Sequence, residues 1–329
     1  MNDKSNWSVV ASTDFICATL DQVQYVGIDE DDAGQRLDNF LFRHLKKVPK
    51  SRVYNLLRRG ELRVNKARKK PDYKLQLHDI LRIPPIKIQA PKVVKDTQSQ
   101  KQFQARLEDW ILHDDARLLI INKPPGLAVH GGSGVHLGLI ELIRQHFPHA
   151  RQWELVHRLD RETSGVIMIA KKRSELRFLH QAFRDNQVKK EYWAILIGQL
   201  QQDQMTATAP LKKNQLTGGA RIVRVDPQGQ SATTHFEVLK RTLEYCWVLA
   251  KPITGRTHQI RVHAQSLGCP ILGDEKYADH ADNQQGRKSG YSGLMLHARR
   301  LTIPRENADN LCVEAEPPAN MQRFLDNLS

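Results

Sequence analysis

Apolar residues are spaced differently in successive parts of the chain. Leu37, Phe40, Leu41 and Leu45 recur at helical spacing, and a second helix is predicted over 51–59, with Ser51 as its N-cap and Gly60 as its stop. Two short strands, 62–65 and 80–83, then flank a basic stretch at 66–74. From residue 118 the apolar positions come in runs of strand length: 118–123, 153–156, 166–170, 190–197, 220–225, 232–239 and 246–251, with 294–298 leading another. Amphipathic helices are expected at 139–147 and 176–183, a further helix opens within 255–263 and ends near Leu267-Gly268, and 321–328 closes the chain. Strands predominate without regular βαβ alternation, which predicts an α+β fold with a mixed, mostly antiparallel central sheet. Pro84-Pro85, Pro91 and the polar run 95–104 read as a linker. The expected organisation is therefore an N-terminal arm (1–33), a small domain of two helices plus a small sheet (34–84), a linker (85–107) and a larger domain (108–329).

Charge sharpens that division. The net charge is +14, yet residues 1–33 hold one Lys against seven acids, while residues 34–96 hold 18 Lys and Arg against five Asp and Glu. A positive module this concentrated is a footprint of nucleic acid. Arg52, Arg58 and Arg59 of the second helix and Lys66, Arg68, Lys69 and Lys70 of the basic stretch are candidate phosphate contacts, which bind in a salt-dependent way and carry little sequence information. Aromatic side chains are sparse there (Tyr54, Tyr73), so shape and phosphate recognition of a structured RNA suit the composition better than base stacking. The four cysteines have no C-x-x-C spacing, which argues against zinc and disulfides and suits a reducing cytoplasm. No apolar run approaches the roughly 20 residues of a membrane span. The glycine-rich run 130–134 lacks the G-K-S/T ending of a nucleotide-binding loop.

The candidate chemistry sits between two of the expected strands. His157-Arg158-Leu159-Asp160-Arg161-Glu162-Thr163-Ser164-Gly165 places one acid, Asp160, between two cations that favour its ionised form. Read by charge alone, such a loop is an ordinary salt-bridged turn; read as chemistry, it offers a lone anionic nucleophile or base where a polyanion would be drawn in. Glu162, two residues on, points elsewhere and does not pair with Asp160. A second segment, Gly255-Arg256-Thr257-His258-Gln259-Ile260-Arg261-Val262-His263, carries four cationic or imidazole side chains, too polar for a core helix. A third, Lys190-Glu191-Tyr192-Trp193-Ala194, alternates like a strand.

Together these segments resemble, in order and without a departure, the motifs H-R-L-D-x-x-T-S-G, K-x-Y-x-A and G-R-x-H-Q-I-R-V-H of the pseudouridine synthases of the ribosomal large-subunit type. Over residues 34–84, Arg36-Leu37-Asp38-Asn39-Phe40-Leu41, Ser51-Arg52 and Gly60-Glu61-Leu62-Arg63-Val64-Asn65 resemble the S4 RNA-binding domain. One departure is His78, where that domain carries Gly; a left-handed turn there costs His about 1 kcal/mol relative to Gly. Segments 63–66, 70–75, 128–134 and 220–225 resemble one bacterial subtype of the synthase family.

The resemblance implies an isomerase that converts several uridines of 23S (large-subunit) ribosomal RNA to pseudouridine, acting as a monomer, without cofactor, metal or membrane. It implies that Asp160 is the catalytic carboxylate, attacking the sugar or the pyrimidine ring or removing a sugar proton. Tyr192 would lie against the uracil and Arg261 would pair with Asp160. Arg158 would fill the space of the flipped base or contact phosphate, Leu296 would pack on the uracil or in the core, and His157, His258 and His263 would make structural hydrogen bonds. The alternatives are a sister subtype with a different set of uridines and a non-catalytic RNA-binding assembly factor that keeps the fold.

Overall fold

The computed structural model describes residues 9–12, 22–45, 48–86, 102–103, 105–131, 138–215, 221–288, 290–306 and 308–327. The chain forms two compact units, Met1–Lys95 and Asp96–Ser329.

The first unit is a four-stranded sheet covered by two helices. Its strands are β1 (Val9–Ala11), β2 (Gln24–Gly27), β3 (Arg63–Val64) and β4 (Ile80–Ile83), in the order β1-β2-β4-β3. Helices α1 (Leu37–His44) and α2 (Lys50–Arg59) bury Leu37, Phe40, Leu41, Val53, Leu56 and Leu57 against Val26, Val64, Leu81 and Ile83 of the sheet. Two expectations are corrected. The arm expected over 1–33 supplies two strands to this sheet: Val26 is fully buried, but a four-residue strand is too short for its alternation to stand out in the sequence. Helix α2 begins at Lys50, with Pro49 rather than Ser51 at its N-cap, because the proline ring fixes the entry φ at −55° one residue earlier. The helix ends at Gly60 (φ 71°), where the Arg68 side chain lies so close that a Cβ would strike it. His78 takes the left-handed conformation (φ 67°) in the turn before β4. That turn is held by the Asp79 carboxylate, which accepts from the backbone N–H of Gln76 at 2.8 Å and from the Asn65 amide at 2.7 Å.

The second unit is built on a ten-stranded sheet. Along its main path run β5 (Ile111–Asp114), β6 (Leu118–Lys123), β8 (Ser164–Ala170), β9 (Lys189–Ile197), β10 (Gln204–Thr208), β13 (Thr233–Arg241), β14 (Tyr245–Pro252) and β15 (Leu296–Arg305), in the order β10-β13-β14-β9-β15-β8-β6-β5. Strand β7 (Glu154–Leu155) pairs with β8, β16 (Ala308–Glu314) pairs with β15, and β11 (Leu211–Gln215) and β12 (Arg221–Val225) form a separate hairpin. All ladders of the ten-stranded sheet are antiparallel except β15–β8. The unit's helices are α3 (Leu139–His146), α4 (Arg173–Arg184), α5 (Gln259–Ser266), α6 (His280–Lys288) and α7 (Ala319–Asp326). Every residue of β8 is buried, and α4 packs its apolar stripe on that strand and on β15. No helix among the described residues is long and apolar enough to cross a membrane. The linker expected over 85–107 contains the boundary between the units, and most of it (87–101 and 104) lies outside the described residues, as do residues 132–134 of the glycine-rich run 130–134.

The parallel β15–β8 pairing positions the site. In register, Ala298 of β15 lies between Tyr192 of β9 and Gly165 of β8. Gly165 (φ 109°) faces the backbone of Ala298 so closely that a Cβ would sit 2.2 Å from the Ala298 carbonyl oxygen. Two small residues side by side leave room for the Tyr192 ring and bring the 157–163 loop, which leads into β8, over the middle of the sheet.

Candidate active site

The loop from 157 to 163 is pinned from below and at its end. Lys123, fully buried at the end of β6, donates from Nζ to the carbonyls of Pro124 (2.8 Å), Leu127 (2.9 Å) and Arg161 (3.0 Å). Burial pushes its pKa down to about 7, while the charges of Glu162 and Asp160 pull it back up. Arg161 returns the grip: its Nε donates to Gly126 O at 2.9 Å, and its carbonyl accepts from Gly126 N–H at 3.0 Å. The Thr163 N–H closes a turn onto Asp160 O at 3.2 Å. His157 accepts from the Met168 N–H at 3.1 Å and is half-buried; the desolvation of its ring drives its pKa down to about 4 and keeps it neutral. Ser164 Oγ meets His297 Nδ1 at 2.9 Å, and His297 Nε2 donates to Ala315 O, so the start of β8 is fixed to β15.

Held this way, Asp160 projects into a cleft lined by Arg158, Tyr192, Arg261, Leu296 and the 254–258 segment. Its nearest charged partner is not a loop neighbour: Arg261 Nη1 donates to Asp160 Oδ2 at 3.3 Å. Arg161 instead turns toward Gly126 and Glu162, and Glu162 is exposed, 3.5 Å from Arg161. The five residues expected to form the site, Arg158, Asp160, Tyr192, Arg261 and Leu296, therefore share one cleft. Leu296 is also part of the hydrophobic core, at 4 % exposure, so it packs inward and faces the cleft at once.

Helix α5 corrects the expectation that this segment is too polar for the core. Gln259 through Ala264 are all buried, because each polar group there has a designated partner. Gln259 Nε2 donates to Thr233 O and Thr234 Oγ1, and its Oε1 accepts from the Arg256 N–H and the Thr254 hydroxyl. His263 Nε2 donates to Ala209 O, and its Nδ1 accepts from Thr234 Oγ1. Arg261 makes a two-pronged bond to Asp274, Nε to Oδ2 at 2.7 Å and Nη2 to Oδ1 at 2.6 Å. Burial opposes the charge on Arg261, but the bonded Asp274 and then Asp160 outweigh it and hold its pKa above the usual value.

Asp274, which the motifs did not single out, thus aims the guanidinium at Asp160. It sits in the loop between α5 and α6, and its Oδ1 also accepts from the backbone N–H of Lys276 and Tyr277. His258 caps α5 in the left-handed conformation (φ 55°) and faces Asp160 Oδ2 at 3.7 Å. Tyr277 Oη accepts from the Val223 N–H of β12 and meets His258 Nδ1 at 2.7 Å, which assigns the His258 proton to Nε2, on the Asp160 side. Burial lowers the His258 pKa to about 4 against the pull of Asp160. On Tyr192, burial and then the Asp160 charge push the hydroxyl upward, so it stays protonated at neutral pH. The cleft thus offers a carboxylate fixed by a guanidinium, a phenol that keeps its proton and a neutral imidazole. Among the described residues no cluster of three or more His, Cys, Asp or Glu side chains is placed to hold a metal ion.

Residues 117–266 match the RNA pseudouridylate synthase family model, and residues 35–81 match that of the S4 domain. The chain is 46 % identical over 304 residues to ribosomal large subunit pseudouridine synthase C of Pasteurella multocida, covering 92 % of this chain and 93 % of that one. It belongs to the ribosomal large-subunit pseudouridine synthases. The same-named protein of Escherichia coli is 46 % identical over 309 residues, covering 93 % of this chain and 97 % of its relative. The structure titled human RNA pseudouridylate synthase domain containing 4 superposes with a TM-score of 0.58 at 31 % identity, covering 70 % of this chain and 97 % of that one. The subtype that segments 63–66, 70–75, 128–134 and 220–225 resemble is this C type, so the chain is an isomerase of the pseudouridine synthase class with an S4 domain ahead of the synthase domain.

Proposed function

We propose that this synthase isomerises several uridines of bacterial 23S ribosomal RNA, acting as a monomer in the cytoplasm without cofactor or metal. The observation that carries the chemical reading is the Arg261 Nη1 to Asp160 Oδ2 contact inside a cleft that also holds Tyr192. The isomerisation breaks the N1–C1′ bond, turns the uracil and joins C5 to C1′; the proton lost from C5 balances the one gained at N1. One carboxylate suffices. Asp160 is the group that attacks the sugar or the ring, or removes a sugar proton, and Arg261 keeps it aimed. Tyr192, held protonated, lies against the base and moves the last proton. A base inside a duplex must leave its stack to reach Asp160, which costs a few kcal/mol. Exposed Arg158, at the cleft mouth, fills the gap or holds the adjoining phosphate. Leu296 packs on the uracil, and the pinned loop keeps water from the open glycosidic carbon.

The C-type names of the relatives favour this subtype over the sister subtype with a different set of uridines, the D type, and a complete Asp160–Arg261–Tyr192 set favours an enzyme over an assembly factor. Purified protein added to naked large-subunit RNA is expected to create pseudouridine at a few discrete positions in a sequencing map. A map with no new sites would overturn the reading, and a map matching the D-type set would correct the subtype.

The exposed cations Arg52, Arg58, Arg59, Lys66, Arg68 and Lys70, with Lys69 stacked on the Tyr73 ring at 4.5 Å, make the first unit the RNA anchor. Removing residues 1–95 is expected to weaken RNA binding more than it slows the chemical step, and to flatten the salt dependence of affinity by about 0.7–0.9 in slope for each phosphate that is no longer neutralised. An unchanged slope would remove the anchor role.

A further inference from the structure

The first unit carries a second basic surface, on the side of its sheet away from the helices. Across β2, β4 and β3 the register aligns Val26, Leu81 and Val64 in one row and Tyr25, Arg82 and Arg63 in the next. The first row is fully buried against α1 and α2. Successive residues of a strand point to opposite faces, so the second row stands on the outer face. There Tyr25, Arg63, Arg82, Asn65, Lys66 and Ile80 line one shallow depression, with three cations and no carboxylate among them. Ile80 is 40 % exposed, an aliphatic surface left in the open beside a phenol.

The depression is stiff. Arg63 Nε donates to Gly60 O at 2.9 Å and Arg82 Nη1 donates to Glu61 O at 2.8 Å, so each guanidinium is tethered at one corner. Asn65 (φ 49°) and Lys66 (φ 65°) form the two-residue turn closed by mutual Val64–Ala67 backbone bonds. The Asn65 side chain is locked between Asp79 and the Ile80 N–H. Arg52, Arg58 and Arg59 lie on α2, whose Val53, Leu56 and Leu57 enter the same core from the opposite side. One phosphate track along α2 therefore does not reach Tyr25.

On the reading that this chain anchors ribosomal RNA through its first unit, we propose that the outer sheet face binds an unpaired nucleotide of that RNA. The base lies on Tyr25 and Ile80, and the flanking phosphate lies on Arg63 and Arg82. A double helix hides its base faces, so an aromatic beside two planar guanidinium groups fits a splayed-out nucleotide, where ring stacking and two-pronged phosphate contacts are both available. Lys66, at the tip of the rigid turn, supplies a further phosphate contact.

The test uses the full chain and large-subunit RNA. Tyr25→Leu keeps apolar bulk and is expected to weaken binding about fivefold or more, whereas Tyr25→Phe retains it. The pair Arg63→Gln and Arg82→Gln is expected to lower the slope of log affinity against log salt by about 1.4 for two single-strand contacts. Ultraviolet cross-linking followed by peptide mass spectrometry is expected to place a nucleotide adduct on Tyr25. Arg58→Gln with Arg59→Gln is the comparison on α2. If the α2 pair weakens binding while the sheet variants keep wild-type affinity and slope, the sheet site is overturned and the anchor stands. If neither set changes binding, the anchor reading fails with it. Losses confined to variants whose melting midpoint also falls would overturn the site as well.

Discussion

Asp160→Asn is expected to reduce turnover by at least about three orders of magnitude while RNA affinity stays within a few-fold of wild type. The substitution keeps the side chain's shape and removes the one anionic oxygen that the cleft presents to the uridine. It leaves no buried group stranded, because Arg261 retains both bonds to Asp274. Two carboxylates share that guanidinium in the native chain, so neutralising one of them also relieves like-charge repulsion. The melting temperature is therefore expected to equal or exceed that of wild type, as where a catalytic group is held at a cost to stability. Single-turnover release of the C5 hydrogen from labelled RNA, with parallel binding curves, measures both quantities. Turnover within tenfold of wild type would remove Asp160 from the chemical step. Lost affinity or a lowered melting point would recast it as a structural residue.

The sequence exposed those parts of the site whose side chains follow one another along the chain. The loop around Asp160, the strand carrying Tyr192 and the helix carrying Arg261 each stand out as local runs, and the structure brings all three to one cleft. What local runs do not carry is pairing across distance. Lys123 sits at the end of an apolar strand and looks like a surface lysine at its tip; only the return of the 161 carbonyl over it makes it a buried clamp. Asp274 follows Ile271-Leu272-Gly273 in what reads as an ordinary turn, 13 residues from the arginine it orients. Its signal was available in principle, since a buried helix that carries an arginine requires a carboxylate partner. Taking α5 as too polar for the core set that requirement aside.

The same logic applies within the fold. Strand β8 was legible because an all-apolar run has no other stable destination than the middle of a sheet. Strands β10 and β16, with sequences Gln-Met-Thr-Ala-Thr and Ala-Asp-Asn-Leu-Cys-Val-Glu, expose most of their residues and exist because a neighbouring strand offers them a ladder, which spacing alone does not reveal. The basic surface is split between α2 and the outer sheet face by the same mechanism. Charge counts locate the module, and only the register of β2, β4 and β3 tells which cations share a face.

Asp274→Ala is expected to cost about 3–5 kcal/mol of stability, the range for removing one partner of a buried ion pair. The Asp274 side chain has no solvent exposure and that of Arg261 only 7 %. Its loss leaves the guanidinium with Asp160 as its remaining carboxylate and strips the acceptor from the N–H groups of Lys276 and Tyr277. Arg261 would then swing toward Asp160 and draw it from its line on the uridine. Asp274→Asn separates the two effects. An amide oxygen can still accept from the turn or from the guanidinium, so the fold is expected to survive with a smaller loss. Its NH2 group cannot take the second prong, so Arg261 loses its fixed angle. The expected signature is a fall in kcat of about 10- to 100-fold with KM little changed, because a misplacement of about 1 Å in the reacting geometry carries a penalty of that size. Steady-state kinetics on a short RNA and thermal melting measure the pair. Wild-type kcat in Asp274→Asn would show that Asp160 alone orients Arg261, and the two-carboxylate account of the site would fall.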